Sequence, residues 1–399
     1  MLQLEEARER VLAAVRVLPS ERVSLAEATH RIVATDVATS LDLPVFDNSA
    51  MDGYAVRVAD LNAASVENPV RLNISQHIPA GAKKIAGIGA GQCARIFTGS
   101  PVPPGADAVV MQEDVVGEAD TATFREPVKP WENVRLRGED VKAGTVVIEA
   151  GERVTAGVVA LLGGLGISEV AVHRRPTVAM LATGNELREP GQPLQAGEIY
   201  ESNRAALAAL LGDAGALPRL FPVIPDALEE TRKVLGRAFD ECDLVVTSGG
   251  VSVGELDFVK DAFRELGGKM EFWRVAVRPG KPFMFGSLGE KLLCGLPGNP
   301  VSAFVTAAML VWPVILRLQG ARDVELPTHL AIADDAFVNK TDRRHLMRVR
   351  VDGNCHVSLA GLQASHALGS LAGANGLVDV PAGGIIERGA TVRVLRFSA

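Results

Sequence analysis

The sequence predicts a multidomain protein of class α/β plus β. A central α/β domain carries a mostly parallel sheet covered by helices, a small mostly-β domain is inserted near the N-terminus, and a C-terminal β domain follows. Three observations predict this. At 399 residues the chain exceeds what one ordinary core supports. Residues 175–320 alternate β-prone and helix-prone runs, the pattern of a parallel sheet covered on both faces. Before and after that stretch, short β-prone pieces are separated by Pro, Gly and Asn turns.

The first 18 residues set Leu4, Val11, Val15 and Leu18 at helical spacing among Glu5, Glu6, Arg8, Glu9, Arg10 and Arg16. That is an amphipathic helix and not the pattern of a signal peptide. Residues 23–37 read as extended and short helical connections. Strands are expected at 54–58, 71–75, 94–97 and 108–111, within a small mostly-β domain at 46–140. The apolar, Gly-rich stretch 154–166 reads as a helix running back beside the first one, so that 1–45 and 141–173 form a discontinuous helical and linker domain. The α/β domain, 174–322, has expected strands at 177–181, 220–223 and 244–247. Its helices are expected at 204–211, 227–239 and 258–266, with Asp226 capping the second. Asn299-Pro300 starts a further helix, with Asn as cap and Pro in the first turn. Its apolar run, 301–316, is interrupted by Ser302, Thr306 and Pro313 and falls short of the roughly 18 clean apolar residues of a membrane span, so a buried helix is expected. Pieces at 329–333, 346–351 and 392–397 make the C-terminal β domain, 323–399.

A net charge of −7 and the lack of a basic run exclude a nucleic-acid backbone as partner but allow a small anion in a local basic pocket. Cys93, Cys242, Cys294 and Cys355 form no C-x-x-C pair and read as small hydrophobes in a reducing compartment, not as a zinc or redox site. A cytoplasmic enzyme or binding protein, with no membrane segment, is expected.

The chemistry concentrates in loops that follow strands. Thr247-Ser248-Gly249-Gly250-Val251-Ser252-Val253-Gly254-Glu255-Leu256-Asp257 follows an apolar strand and precedes a helix. Glycines let backbone N–H groups approach an anion, and the next helix adds its positive end. Carboxylates at such a cradle repel a phosphate unless a divalent cation such as Mg²⁺ lies between them. Residues 182–186, ending in Glu186, and 295–300, with Pro297, Gly298 and Asn299, repeat this chemistry where ligands bind in open sheets. Arg274, Arg278 and Lys281 offer positive charge nearby; only the lysine could handle a proton. A competing motif is Gly250-Val251-Ser252-Val253-Gly254, which has the G-x-S-x-G form of a serine hydrolase with Ser252 as nucleophile. No histidine lies between Ser252 and His329, the later histidines fall in the β tail, and no oxyanion segment is evident. Gly87 to Gly91 lacks the spacing and helix of a dinucleotide fingerprint and reads as a turn.

At the segments FDNSAMDGYAV (46–56), IFTGSPVPPGADAVVMQE (96–113), 137–140, 183–187, 248–257, RPGKPFMFG (278–286) and GLPGNPVSA (295–303), the sequence resembles the molybdopterin molybdenumtransferase family, which includes the C-terminal domain of gephyrin. The resemblance spans nearly the whole chain. It implies a homodimer with active sites shared between subunits, in which adenylylated molybdopterin and molybdate yield molybdenum cofactor and AMP with Mg²⁺. By motif it implies catalytic roles for Asp52, Thr98, Asp140, Asp257 and Lys281, and metal binding by Glu186, Asp226 and Asp257. Substrate binding falls to Ser248, Gly249, Gly250, Ser252, Arg274, Arg278, Pro297, Gly298, Asn299, Arg348 and Ser365. Several positions depart from the family pattern. Arg274 and Arg278 stand where lysines are common, Asn185 where a carboxylate often precedes Glu186, and Val349 and Ala364 where glycines flank Arg348 and Ser365. A pterin-binding scaffold of the same fold with lost catalysis is the alternative that the last of these motivates.

Overall fold

A computed structural model describes residues 1–251 and 258–397. The chain forms two compact units, one from Met1–Thr35, Ala150–Thr155 and Glu169–Ala399, the other from Asp36–Glu149 and Ala156–Ser168.

The first unit is built on a six-stranded sheet in the order Leu217–Leu220, Thr177–Ala182, Leu244–Ser248, Lys291–Leu296, Pro282–Leu288, Lys269–Arg274. The first four strands are mutually parallel, and the last two add antiparallel pairings at one edge. The strand expected at 220–223 lies three residues earlier. Along Thr177–Ala182 the side chains alternate: Val178 and Met180 join one buried cluster, Ala179 and Leu181 the other. Helices Asn203–Asp213 and Pro300–Leu318 cover the first face, and Leu228–Glu241 and Val259–Glu265 the second. Both faces are therefore dry, which a parallel sheet requires.

Helix Pro300–Leu318 corrects one expectation: at 19 residues it is long and apolar enough to cross a membrane, yet 83% of its apolar stretch is buried within the protein. It is the core helix. Residues Ala307–Val311 form a π turn that ends one residue before Trp312-Pro313 continues the helix, where proline supplies no N–H and a regular α-helical ladder would break.

Helix Leu4–Ala13 buries Leu4, Ala7 and Val11 in the same core as the 300–318 helix. The helix at 154–166 is present as Ala156–Gly164 and lies in the second compact unit. The apolar stripe on the first helix, absent from the uniformly apolar second, accounts for its place against the α/β core. The stretches 1–45 and 141–173 do pair with each other, through Ser20–Ser24 with Glu169–His173 and through Val37–Ala38 with Val146–Ile148.

Strands Arg344–Val351, His356–Leu359, Thr328–Ala333, Thr391–Arg396 and Gly376–Val380 follow in order, and a further pairing of the first with the last closes the sheet into a small barrel. The second unit holds a sheet in the order Ala108–Met111, Gly53–Val56, Gln92–Ile96, Val70–Ile78, Thr121–Phe124, Val115–Gly117. The first four lie at or near the expected positions; the short pair at 115–124 carries too few residues for its alternation to register.

Candidate active site

The strands ending at Ala182, Ser248 and Leu296 are neighbours, so their loops meet at one edge of the sheet. There they line a cleft of about 720 Å³. Its walls include Thr183, Gly184 and Glu186, then Ser248, Gly249 and Gly250, then Pro297, Gly298 and Asn299. Backbone bonds zip the loops together: Thr183 N–H to Ser248 O (3.3 Å), Gly249 N–H to Leu296 O (3.1 Å) and Gly184 N–H to Ile224 O (3.1 Å). Gly250 is obligatory here. Its φ is +70°, and an added Cβ would lie 2.4 Å from Val259 Cγ2.

Asn203, at the start of its helix, joins two loops at once. Its Nδ2 donates to Ser248 Oγ (2.7 Å) and to Gly298 O (2.7 Å). Glu201 fixes that helix end by accepting the N–H groups of Asn203 (2.7 Å) and Arg204 (3.0 Å) on one oxygen and Arg204 Nε (2.8 Å) on the other. The Asn299 side chain makes no cap bond to its own helix and stays exposed at the cleft, while Val301 N–H donates to Ser365 O (3.1 Å). The acceptor for that helix end is thus supplied by another segment.

Asp226 does not cap its helix. The cap residue is Ala227, whose side chain makes no cap bond, and Thr231 Oγ1 donates to Ala227 O (2.9 Å). The carboxylate instead accepts Asn185 N–H (3.2 Å), while Asn185 Oδ1 accepts Asp226 N–H (3.1 Å). This reciprocal lock turns Asp226 to the cleft, which Glu186 also lines. Ser252 and Asp257 lie outside the described residues. Among the described residues no group of three or more His, Cys, Asp or Glu is placed to hold a metal. Glu186 and Asp226, both lining the cleft, are nonetheless oxygen donors of the kind Mg²⁺ takes, one or two from the protein with water and phosphate completing its shell.

In the second unit, Asp52 Oδ1 accepts both Thr98 N–H (2.8 Å) and Thr98 Oγ1–H (2.8 Å). These bonds, with the charge of Arg95, hold its carboxyl below the usual range. Arg95 is itself fixed over the rings of Tyr54 and Phe97, at 5.1 and 4.9 Å. Asp140 is exposed, its N–H bonded to Leu43 O (3.1 Å), and among the described residues no hydrogen bond links it to Asp52 or Thr98.

Family models match in order along the chain: the MoeA N-terminal region, domains I and II, over residues 2–166; a probable molybdopterin binding domain over 179–317; and the MoeA C-terminal region, domain IV, over 331–397. The molybdopterin molybdenumtransferase of Haemophilus influenzae is 40% identical, with 100% of this chain and 99% of the relative aligned. The chain belongs to the molybdopterin molybdenumtransferase, or MoeA, family. The molybdopterin molybdenumtransferase 2 of Mycobacterium tuberculosis is 39% identical over 96% of each chain. The crystal structure of the molybdopterin biosynthesis MoeA protein of Pyrococcus horikoshii superposes with a TM-score of 0.86 at 30% identity, covering 99% of both chains.

Residues with a MoeA-type motif fall into different surroundings. Arg274 is exposed and stacked 4.1 Å over the Trp273 ring, and Arg278 is half-buried on a short strand beside 344–351. Lys281 is exposed and precedes Pro282, which lines the cleft; none of the three cations is among the described lining residues. Arg348 is fully buried. Its guanidinium donates to Leu362 O (2.7 Å), Ala364 O (3.2 Å) and Ser370 Oγ (2.9 Å), so it anchors the loop that brings His366 and Leu368 to the cleft. Ser365 contributes its backbone carbonyl to Val301. His366, from the β tail, reaches the same cleft as Gly250, which chain order alone did not suggest. Asn203 and Glu201 were also missed. The readable signal was Glu201-Ser202-Asn203 before a helical run, a polar cluster at a helix start.

Proposed function

We propose that the protein is a molybdopterin molybdenumtransferase that inserts molybdate into adenylylated molybdopterin with release of AMP. One observation carries this reading: the cleft at the edge of the parallel sheet is built almost wholly from the segment matched as a probable molybdopterin binding domain, within a full-length family match. The glycine loops present backbone N–H groups to the phosphates, and the 300–318 helix directs its positive end into the same space, with Asn299 at its mouth. Glu186 and Asp226 would hold Mg²⁺, whose charge offsets that of the phosphoanhydride. On the second unit, Thr98 holds the Asp52 carboxyl below its usual range and so keeps an anionic acceptor there. The proposal includes a homodimer with shared sites, acting in the cytoplasm.

Purified protein with adenylylated molybdopterin, molybdate and Mg²⁺ is expected to release AMP. Chelation of Mg²⁺ should stop release, and Glu186→Gln should slow it at least about tenfold. Pterin binding without AMP release under any of these conditions would replace the enzyme with the scaffold alternative.

A further inference from the structure

A second cavity, of about 370 Å³, adjoins the opposite ends of the sheet strands, beside Arg175 and Gly215, which precede the 177–182 and 217–220 strands. Arg31, Arg153 and Arg175 line it, brought together from three distant stretches of chain. Asp213 is the one carboxylate among its described lining residues, and it is exposed.

The three guanidiniums are held in place but incompletely neutralised. Arg175 donates to Gly215 O (2.7 Å) and Ala216 O (3.2 Å), which fixes its head without supplying a counter-charge. Among the described residues the Arg153 guanidinium meets His30 O, at 3.4 Å. Arg31 pairs with Glu21 and donates to His173 O (3.0 Å), but its Nε is buried with no partner. Burial pushes Arg153 and Arg175 below the ordinary guanidinium range, and the charge of Arg31 adds to the push on Arg175. No acid opposes either shift. Partly desolvated like charges without an anion are costly, and arginine's planar fork is matched to phosphate-type oxygens.

We propose that this cavity binds a dianionic tetrahedral oxyanion, either free or as the phosphate of a phosphomonoester. The site is separate from the cleft and does not depend on the reaction proposed there. The test is anomalous diffraction from crystals of the full-length protein equilibrated with tungstate, used as a heavy tetrahedral oxyanion, for wild type and Arg153→Gln. A peak among Arg31, Arg153 and Arg175 is expected in wild type. In the variant, half-occupancy should need at least about tenfold more tungstate, the loss of one charge-assisted contact. Among the described residues the Arg153 side chain makes one long bond, so an unchanged thermal midpoint is expected; should the variant not fold, the wild-type map decides. Absence of a peak, or an equal peak in a folded Arg153→Gln, would overturn the site. Displacement by AMP identifies a phosphomonoester and displacement by inorganic phosphate alone a free oxyanion, while failure of both to displace tungstate also overturns it.

Discussion

Arg204 and Arg348 each anchor one wall of the cleft from inside the protein, but their charges are handled in different ways. The Arg204 side chain is 4% exposed, and it meets Glu201 (2.8 Å) and Glu189 (2.7 Å). Burial alone would lower its affinity for a proton, but bonds to Glu189 and Glu201 outweigh it and hold Arg204 above the ordinary range. Among the described residues the acceptors of the Arg348 guanidinium are all neutral and its Nη1 has none, and burial pushes it down to about 10. The α/β region thus secures its helix with a closed ion-pair network, and the barrel secures its loop with an uncompensated cation. The first geometry fails when one partner is removed; the second already carries its cost.

Arg204→Met leaves Glu201 buried without its partner and is expected to lose about 3–5 kcal/mol in denaturant unfolding. A loss below about 1 kcal/mol would show that the network is not what holds this wall.

The cationic character of the barrel region also sets an acid limit. His345 is 4% exposed, and burial, then the charges of Arg278, Arg348 and Arg343, push it from 6.5 down to about 4. The unfolded chain therefore binds a proton that the folded chain refuses between those values. Stability rises with pH across that window, and falls by up to about 3 kcal/mol as pH drops through it. His345→Gln should flatten this limb of a stability profile; an unchanged slope would assign the limb to other groups.

Arg348→Met is expected to cost the least, under about 2 kcal/mol, because removal of an unpaired buried charge offsets the lost bonds to Leu362, Ala364 and Ser370. AMP release should fall nonetheless, since the loop bearing His366 and Leu368 loses its anchor. A loss equal to that of Arg204→Met would erase the distinction between the two walls.

The parallel sheet was legible because buried strands and amphipathic helices leave periodic marks, and the start of the 300–318 helix because Asn-Pro constrains the backbone directly. The antiparallel edge was not, since Lys269–Arg274 carries charge at both ends and its partner lies beyond a turn. Glycine loops announced the cleft through local chemistry. The lock of Asp226 on Asn185, the bridging by Asn203 and the arrival of His366 depend on contacts 41 or more residues apart, and no local pattern records them. Arg348 matched a motif, but only burial distinguishes an anchor from a ligand.

The interleaving of the two units bears on synthesis. Residues 36–149 emerge from the ribosome as a nearly continuous block, and most of the second unit's pairings lie within it. The first unit must wait: its opening helix, Leu4–Ala13, packs against a core completed only by the 300–318 helix and by Phe397. An amphipathic segment is therefore held unsatisfied while nearly 300 further residues are made, a delay that exposes apolar surface and favours chaperone capture.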